Sequence, residues 1–319
     1  MTSSSHVTRR DALRQMLLFS AALAAPRFLA GQTPRPSTPK NALHLFCLGD
    51  WGAGVTPNQI AVASAMQAYA KTIGRSPEAL FLLGDNFYGA LPDIHSPRWK
   101  KEFEDMYPAS VFPGPCHAIL GNHDYDDQPD GERIQMDYAR TPGTRWRMPA
   151  RWYRLDLPAA NPVATFLCVD THFAKLNERD IASQDAWLKG ELARPRRTPW
   201  MFVCGHHPVF SVGTQHGDTK RLGPWAELFH EQKVHAYICG HEHDLQHLRM
   251  PEKSTDWFIS GGGGRELHAI NPAKKASFAQ SVFGFMHLSV TPHDYEMTFV
   301  GQDAGVLYTC RREPAQNSG

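Results

Sequence analysis

The sequence predicts an α/β fold, and three observations carry that reading. Its first part alternates short apolar runs with stretches of helical spacing, a β-α-β-α-β order that implies parallel strands and right-handed crossovers. Five apolar runs end in a glycine followed by Asp, Asn or His: Gly49-Asp50, Gly84-Asp85, Gly121-Asn122, Gly205-His206 and Gly240-His241. After the last of these the helical patterns stop, and successive strand-like runs read as a second, antiparallel layer.

The chain begins with a polar segment, the pair Arg9-Arg10 and an apolar run over 16–25, with small-residue cleavage sites at Ala22-Leu23-Ala24 and Phe28-Leu29-Ala30. This pattern makes residues 1–30 an export signal, too short to cross a bilayer core of ~30 Å as a helix. The paired arginines resemble a twin-arginine signal, so the twin-arginine export machinery is the expected partner. A periplasmic or secreted protein without stable membrane insertion follows. Residues 31–41, with Pro34, Pro36 and Pro39, read as a solvated linker. The folded domain is expected over 42–312, with a tail at 313–319.

Within the domain, Leu43–Leu48 reads as a buried strand, and 58–71 as a helix through Ile60, Val62, Met66 and Tyr69. Ala79–Leu83 is the next strand, 98–106 a helix and 116–120 a third strand. Two adjacent strands follow at 151–157 and 163–169, then a helix at 183–192 and a Pro- and Arg-rich turn at 194–198. Trp200–Cys204 is a strand, 224–232 a helix and 235–239 a strand. The antiparallel layer is assigned to Asp256–Ser260, 283–290, 295–300 and 305–310.

Composition narrows the function classes. The 319 residues suffice for one large or two small domains, and 42% apolar content supports a substantial core. A net charge of +1 without a long basic run gives no sign of a nucleic-acid surface. The 17 histidines concentrate in the second half, which leans towards a metalloenzyme. The six cysteines form no C-x-x-C pair and mostly sit in apolar runs, so no disulfide is assigned.

The residues after the glycines are the candidate site. Asp50, Asp85, Tyr88, Asn122, His206, His241 and His243 offer oxygen and imidazole donors enough for two ions sharing one carboxylate. Two adjacent cations can clamp a phosphoryl group and activate water. Each residue also has a plainer reading. Asp50 and Asp85 could cap helices, Asn122 could stabilise a turn, and Tyr88 could be a core aromatic. His206 and His207 compete for one ligand position, and His216 could be an ordinary loop histidine. His117, His235, His247, His268 and His287 lie on or beside strands and read as structural. The Gly261 to Gly264 run reads as a tight turn rather than a phosphate cradle.

Taken in order, GDWG, GDNFY, GNHD, GHHP and GHEH resemble the five blocks of the calcineurin-like metallophosphoesterases. The tyrosine of GDNFY is similar to that of purple acid phosphatases, and GHHPVFSVGTQHG and VHAYICGHEHDLQHL resemble the small tartrate-resistant type. The resemblance spans Leu43 to Leu248 and extends loosely over the C-terminal strands. It implies a four-layer α-β-β-α sandwich with two facing mixed β-sheets. It makes Asp50, Asp85, Tyr88 and His243 ligands of Fe(III), with Asp85 shared. Asn122, His206 and His241 would complete the site of a second ion, Fe(II), Zn(II) or Mn(II). His123 would contact phosphate and protonate the leaving group, with Asp124 as its orienting carboxylate and His216 as a second substrate histidine. The implied reaction is hydrolysis of small phosphomonoesters by metal-activated hydroxide.

Two other functions fit less of the sequence. One is a Mn- or Zn-dependent phosphodiesterase or nucleotide hydrolase of the same superfamily; the other is a periplasmic phosphate- or metal-binding protein without turnover. The chain's individual segments are 126–148, expected to shape the substrate entrance, and the basic stretch 193–200, where an inhibitory loop is conceivable.

Overall fold

A computed structural model describes residues 41–313. The export signal, the linker through residue 40 and the tail from 314 lie outside the described residues. The first sheet takes parallel strands β1 (Leu43–Leu48), β2 (Ala79–Leu83), β3 (Cys116–Ile119) and β4 (Trp146–Arg147). The second takes parallel strands β6 (Ala164–Cys168), β7 (Trp200–Cys204), β8 (Ala236–Cys239) and β10 (Asp256–Ser260). Around these, β5 (Tyr153–Leu157), β9 (Leu245–Arg249) and β11 (Phe278–Gln280) run antiparallel in the second sheet. β12 (Gly284–Val290), β13 (Tyr295–Gly301) and β14 (Val306–Arg312) extend the first. Each sheet thus holds seven strands, in orders β14-β13-β12-β1-β2-β3-β4 and β11-β9-β10-β8-β7-β6-β5.

Strand alternation sets the layers. In β1 every side chain is buried, because both faces of the strand are covered. Phe46 and Leu48 face helix α1 (Pro57–Ile73), packing with Val62, Met66 and Tyr69. Leu45 and Cys47 face the second sheet, in a cluster with Phe81, Phe166, Phe202 and Ile238. Helices α2 (His123–Asp126) and α3 (Gly131–Tyr138) lie near the first sheet, with Tyr125 and Ile134 in the α1 cluster. Leu167 and Val203 point to the second sheet's far side. Leu188 and Leu192 of α4 (Glu178–Ala193) and Trp225 and Phe229 of α5 (Gly223–Glu231) cover the second. Helix, sheet, sheet and helix are the four layers the sequence implied.

Local signals explain the helix bounds. Thr56 caps α1 by accepting from the Gln59 amide at 3.2 Å, Pro57 occupies the first turn, and Gly74 ends it. The helix expected over 98–106 forms as a π-helical stretch, Trp99–Glu104, that buries Trp99 and Phe103.

The separate antiparallel layer does not form. β12 pairs with β1, Leu45 opposite Leu288, and carries β13 and β14 onto the first sheet, while β10 lies parallel to β8. β12 is buried at every position, as a strand with one wet face would not be. Phe285 joins the α1 side, whereas Met286 and Leu288 fill the space between the sheets.

The six cysteines are buried and unbridged. Among the described residues no helix is long and apolar enough to cross a membrane.

His117, His235, His247 and His287 are structural, as expected. His287 lies 3.1 Å from the Tyr69 hydroxyl and 3.0 Å from His44 Nδ1. The Met201 amide donates to His235 Nδ1 at 3.0 Å. Burial pushes His287 down to about 3, and His117 and His235 to about 4. These rings stay neutral in the fold but charge in the unfolded chain near pH ~6.5. The unfolded state therefore binds more protons between these values, so stability is full above pH ~6.5 and falls as pH drops towards 4. Denaturant midpoints measured from pH ~7 to ~4 should fall accordingly, and His287→Gln should flatten that slope. An unchanged slope in the variant would contradict this account.

Candidate metal centre

The parallel strands of both sheets deliver their polar residues at their carboxyl ends, the rim where open α/β sheets place sites. β1 leads into Asp50, β2 into Asp85 and Tyr88, and β3 into Asn122 and His123; β7 leads into His206, and β8 into His241 and His243. Asp50, Asp85 and His241 take left-handed backbone, with φ of 60°, 49° and 69°. Such conformations are sparse for residues with a Cβ and persist where surroundings enforce them. The sharp exit from the strand thus falls on the candidate residue itself. The glycines answer a different need: a Cβ on Gly121 would stand 2.2 Å from Asp85 Oδ1, and one on Gly240 2.5 Å from Asp50 Oδ2.

All seven predicted ligand residues converge. Donor atoms of Asp50, Asp85 and His243 lie within 4.8 Å of one another, and all three residues are buried. The Tyr88 hydroxyl is 3.1 Å from His243 Nε2 and 3.3 Å from Asp50 Oδ1. On the other side of Asp85, His206 Nε2 lies 3.4 Å from Asp85 Oδ1, 3.2 Å from Asn122 Oδ1 and 3.2 Å from His241 Nδ1. Asp85 is common to both groups.

Donor chemistry fits a pair of cations. Nδ1 of His206 donates to the Leu83 carbonyl at 2.8 Å, and Nδ1 of His243 to the Glu266 carbonyl at 2.6 Å. With those protons placed, each Nε2 turns a lone pair towards carboxylate, amide or imidazole lone pairs. Acceptors facing acceptors in a buried site call for positive charge between them. Without metal, protons supply it. Burial pulls His206 down, yet Asp85 and Asp50 lift it to about 9. Burial raises Asp85, but His206 and then His123 hold it well below the carboxylate range. Burial and the neighbouring imidazoles keep His241 far below its usual value, a free base suited to ligation. Burial, Asp85 and Asp50 push the Tyr88 phenol well above its own.

The histidine pairs separate cleanly. His206 is fully buried among the donors, whereas His207 turns Nδ1 to Thr171 Oγ1 at 2.8 Å. His207 and His216 flank the His241 ring, with centroids 4.2 and 4.1 Å away. His123 donates its amide to Asp85 Oδ1 at 2.9 Å, and its ring lies 4.5 Å from that of Tyr88. Its carboxylate partner is Asp127, 2.9 Å from Nδ1, and not Asp124 as expected. Asp124 is buried and accepts from the amides of Asn86, Phe87 and Gly121 at 3.0, 3.2 and 2.8 Å, fastening the loops after β2 and β3 together. Burial first, then Asp85, raises its carboxyl to about 7.

Other expectations need correction. His268, read as structural, stacks on His243 with centroids 3.9 Å apart, and Glu242 was missed altogether. The Gly261 to Gly264 run needs no correction: the amides of Gly261 and Gly263 are taken by the carbonyls of Asp244 and Gly49, so it brings no free phosphate cradle at those positions. Segment 193–200 enters β7 at its amino end, opposite the ligand loops, which removes the inhibitory-loop reading. Of 126–148, Asp127 reaches the site through His123, while Gln135 packs beneath it on Asp124. Arg265 was also missed; its guanidinium covers the Tyr88 ring at 4.8 Å. Another group of donor residues, His247, Asp256 and Cys310, is an ion-pair network: Arg312 binds both Asp256 oxygens, at 2.7 and 3.0 Å.

Comparison with known proteins agrees with this geometry. A sequence model of the calcineurin-like phosphoesterase family matches residues 43–245. Tartrate-resistant acid phosphatase type 5 of Sus scrofa is 29% identical, covering 93% of this chain and 95% of its own. Purple acid phosphatase 17 of Arabidopsis thaliana is 29% identical, covering 86% of this chain and 85% of its own. Among solved structures, GAP50, described as the anchor in the inner membrane complex of Plasmodium, superposes with a TM-score of 0.75 at 22% identity, over 87% of this chain and 90% of its own. Purple acid phosphatase PPD1 from yellow lupin superposes at 0.64 with 17% identity, over 85% of this chain and 54% of its own. These structural likenesses establish the fold.

Proposed function

The chain belongs to the calcineurin-like phosphoesterases, and from that premise we propose that it is a purple-acid-phosphatase-type enzyme hydrolysing small phosphomonoesters. Asp50, Asp85, Tyr88 and His243 would hold Fe(III). Asp85, Asn122, His206 and His241 would hold a second ion, Fe(II), Zn(II) or Mn(II). The observation that carries this reading is the Tyr88 hydroxyl at 3.1 Å from His243 Nε2 and 3.3 Å from Asp50 Oδ1, where a phenolate joins the donor set. When bound, the two ions supply Lewis-acid charge for the phosphoryl oxygens, lower the pKa of water, and give visible absorption through the phenolate.

The remaining work falls to the chain's own side chains. His123 stands beside Tyr88 with its Nδ1 fixed by Asp127, which leaves Nε2 to give a proton to the leaving oxygen. His216, exposed and stacked on His241, is placed to hold a phosphoryl oxygen from the opposite side. Asp124, joined to both the β2 and β3 loops, keeps Asp85 and His123 in step. Export through the twin-arginine pathway, supported by Arg9-Arg10 and the apolar run that follows, would place the enzyme in the periplasm or outside the cell.

Tyr88→Phe tests the assignment. It should abolish the visible band and reduce turnover of p-nitrophenyl phosphate, with the fold retained by circular dichroism. A variant with wild-type activity, and a wild type preferring diesters or nucleotides, would instead support the Mn- or Zn-dependent diesterase.

A further inference from the structure

Glu242 stands in sequence between His241 and His243 in the bend that follows β8, and its side chain turns to loop 211–217 and to His268. It is fully buried there. Its Oε1 accepts from the amides of His216 and Gly217 at 3.0 and 2.6 Å, and from Ser211 Oγ at 3.4 Å. Its Oε2 lies 2.9 Å from His268 Nδ1. Gly213 lies against the same carboxylate, where a Cβ would come within 2.4 Å of its carbon. One acidic group therefore takes up the amides at the His216 end of loop 211–217, while those of Val212 and Thr214 go to Gln246 Oε1 and the Ala269 carbonyl.

The same group reaches both histidines that flank it. The His268 ring stacks on His243, with centroids 3.9 Å apart and planes inclined by 20°, and lies 5.2 Å from the His216 ring. On the other side, the His216 ring stacks on His241. A carboxylate buried without donors would be costly, and here its charge is met by backbone amides, a hydroxyl and an imidazole. The loop bearing His216 is exposed at Thr214, Gln215 and His216; Thr214 is tied to the Ala269 carbonyl, and the amides of His216 and Gly217 donate to Glu242.

We infer that Glu242 is the positioning residue of His216: its carboxylate ties the substrate-facing loop to the strand end that carries His241 and His243. The role of His216 in holding phosphate rests on the function proposed above. The clamp itself rests on Glu242 and its donors. The position of His216 is thereby tied to that of His241 and His243, which would hold the ions, so a phosphoryl group would meet both together.

The test is a double-mutant cycle on the metal-loaded enzyme with Glu242→Ala, His216→Ala and the pair, together with amide hydrogen exchange of each protein. Each single variant should raise KM and the inhibition constant for inorganic phosphate by about tenfold, with metal content and visible band unchanged. The double variant should be no worse than His216→Ala. Exchange at residues 216 and 217 should quicken in Glu242→Ala but not in His216→Ala. Glu242→Gln, which keeps an accepting oxygen, should fall between and serves where the alanine variant fails to fold. Additive effects in the cycle, or unchanged exchange at 216 and 217, would overturn the inference. If the wild type hydrolyses no phosphoester, the proposed function fails, and the exchange data still decide the clamp.

Discussion

Asp85→Asn is expected to lower kcat/KM for phosphomonoesters by at least about a thousandfold, because it removes the one carboxylate common to both donor groups. The clamp of two cations is worth several kcal/mol, and each ~1.4 kcal/mol is tenfold in rate. The substitution separates charge from architecture. Asp85 holds left-handed backbone with φ of 49°, a conformation Asn accepts as readily as Asp. The amide retains an oxygen for the His123 N–H, now 2.9 Å from Asp85 Oδ1. It offers no charge to His206 Nε2, 3.4 Å away. Metal content should fall while circular dichroism stays unchanged. A variant keeping both its metals and its rate would remove Asp85 from the bridging position.

His123→Ala is expected to cost about a hundred- to a thousandfold in kcat on alkyl phosphates, the range of a positioned general acid. The loss should be much smaller on p-nitrophenyl phosphate, whose leaving group departs without a proton. Asp127→Asn should act in the same direction by about tenfold, as removal of an orienting partner does, since Asp127 Oδ1 lies 2.9 Å from His123 Nδ1. Rate constants plotted against leaving-group pKa read both effects as a steeper slope. Equal losses on both substrates would make His123 a binding residue rather than a proton donor.

The convergence of the seven candidate residues was legible because each lies just after an apolar run and a glycine, and the carboxyl ends of parallel strands share one rim. Uninterrupted apolar runs marked the strands covered on both faces, whereas the four layers came from the family resemblance. Strand neighbours were not. Nothing within 284–290 states that its partner is β1; that follows from an open sheet edge beside α1, which exists only once the sheet is built. β9 went unseen because Gln246 and His247 look like surface residues, although both are buried on partners: Gln246 on Asp244 and His247 on Asp256.

One misassignment at the site carried a signal that spacing could have supplied. His123 and Asp127 are four residues apart on a helical turn and share a face, whereas Asp124, adjacent in sequence, points elsewhere. Glu242 carried none, because it lies in a bend where the left-handed backbone of His241, with φ of 69°, breaks any strand alternation. Arg265 and His268 had no such signal, because they reach the site from a segment whose path is set by its hydrogen bonds to Asp50 and His243.

The central claim is a binuclear centre containing ferric iron bound by Tyr88. Metal analysis of the purified protein, with its visible spectrum recorded beside p-nitrophenyl phosphate turnover, tests it most directly. The expected result is a pair of ions per chain, at least one of them iron, a broad visible band, and activity that rises and falls with iron content. A colourless protein, fully active with manganese or zinc alone, would contradict it and place Tyr88 outside the coordination sphere.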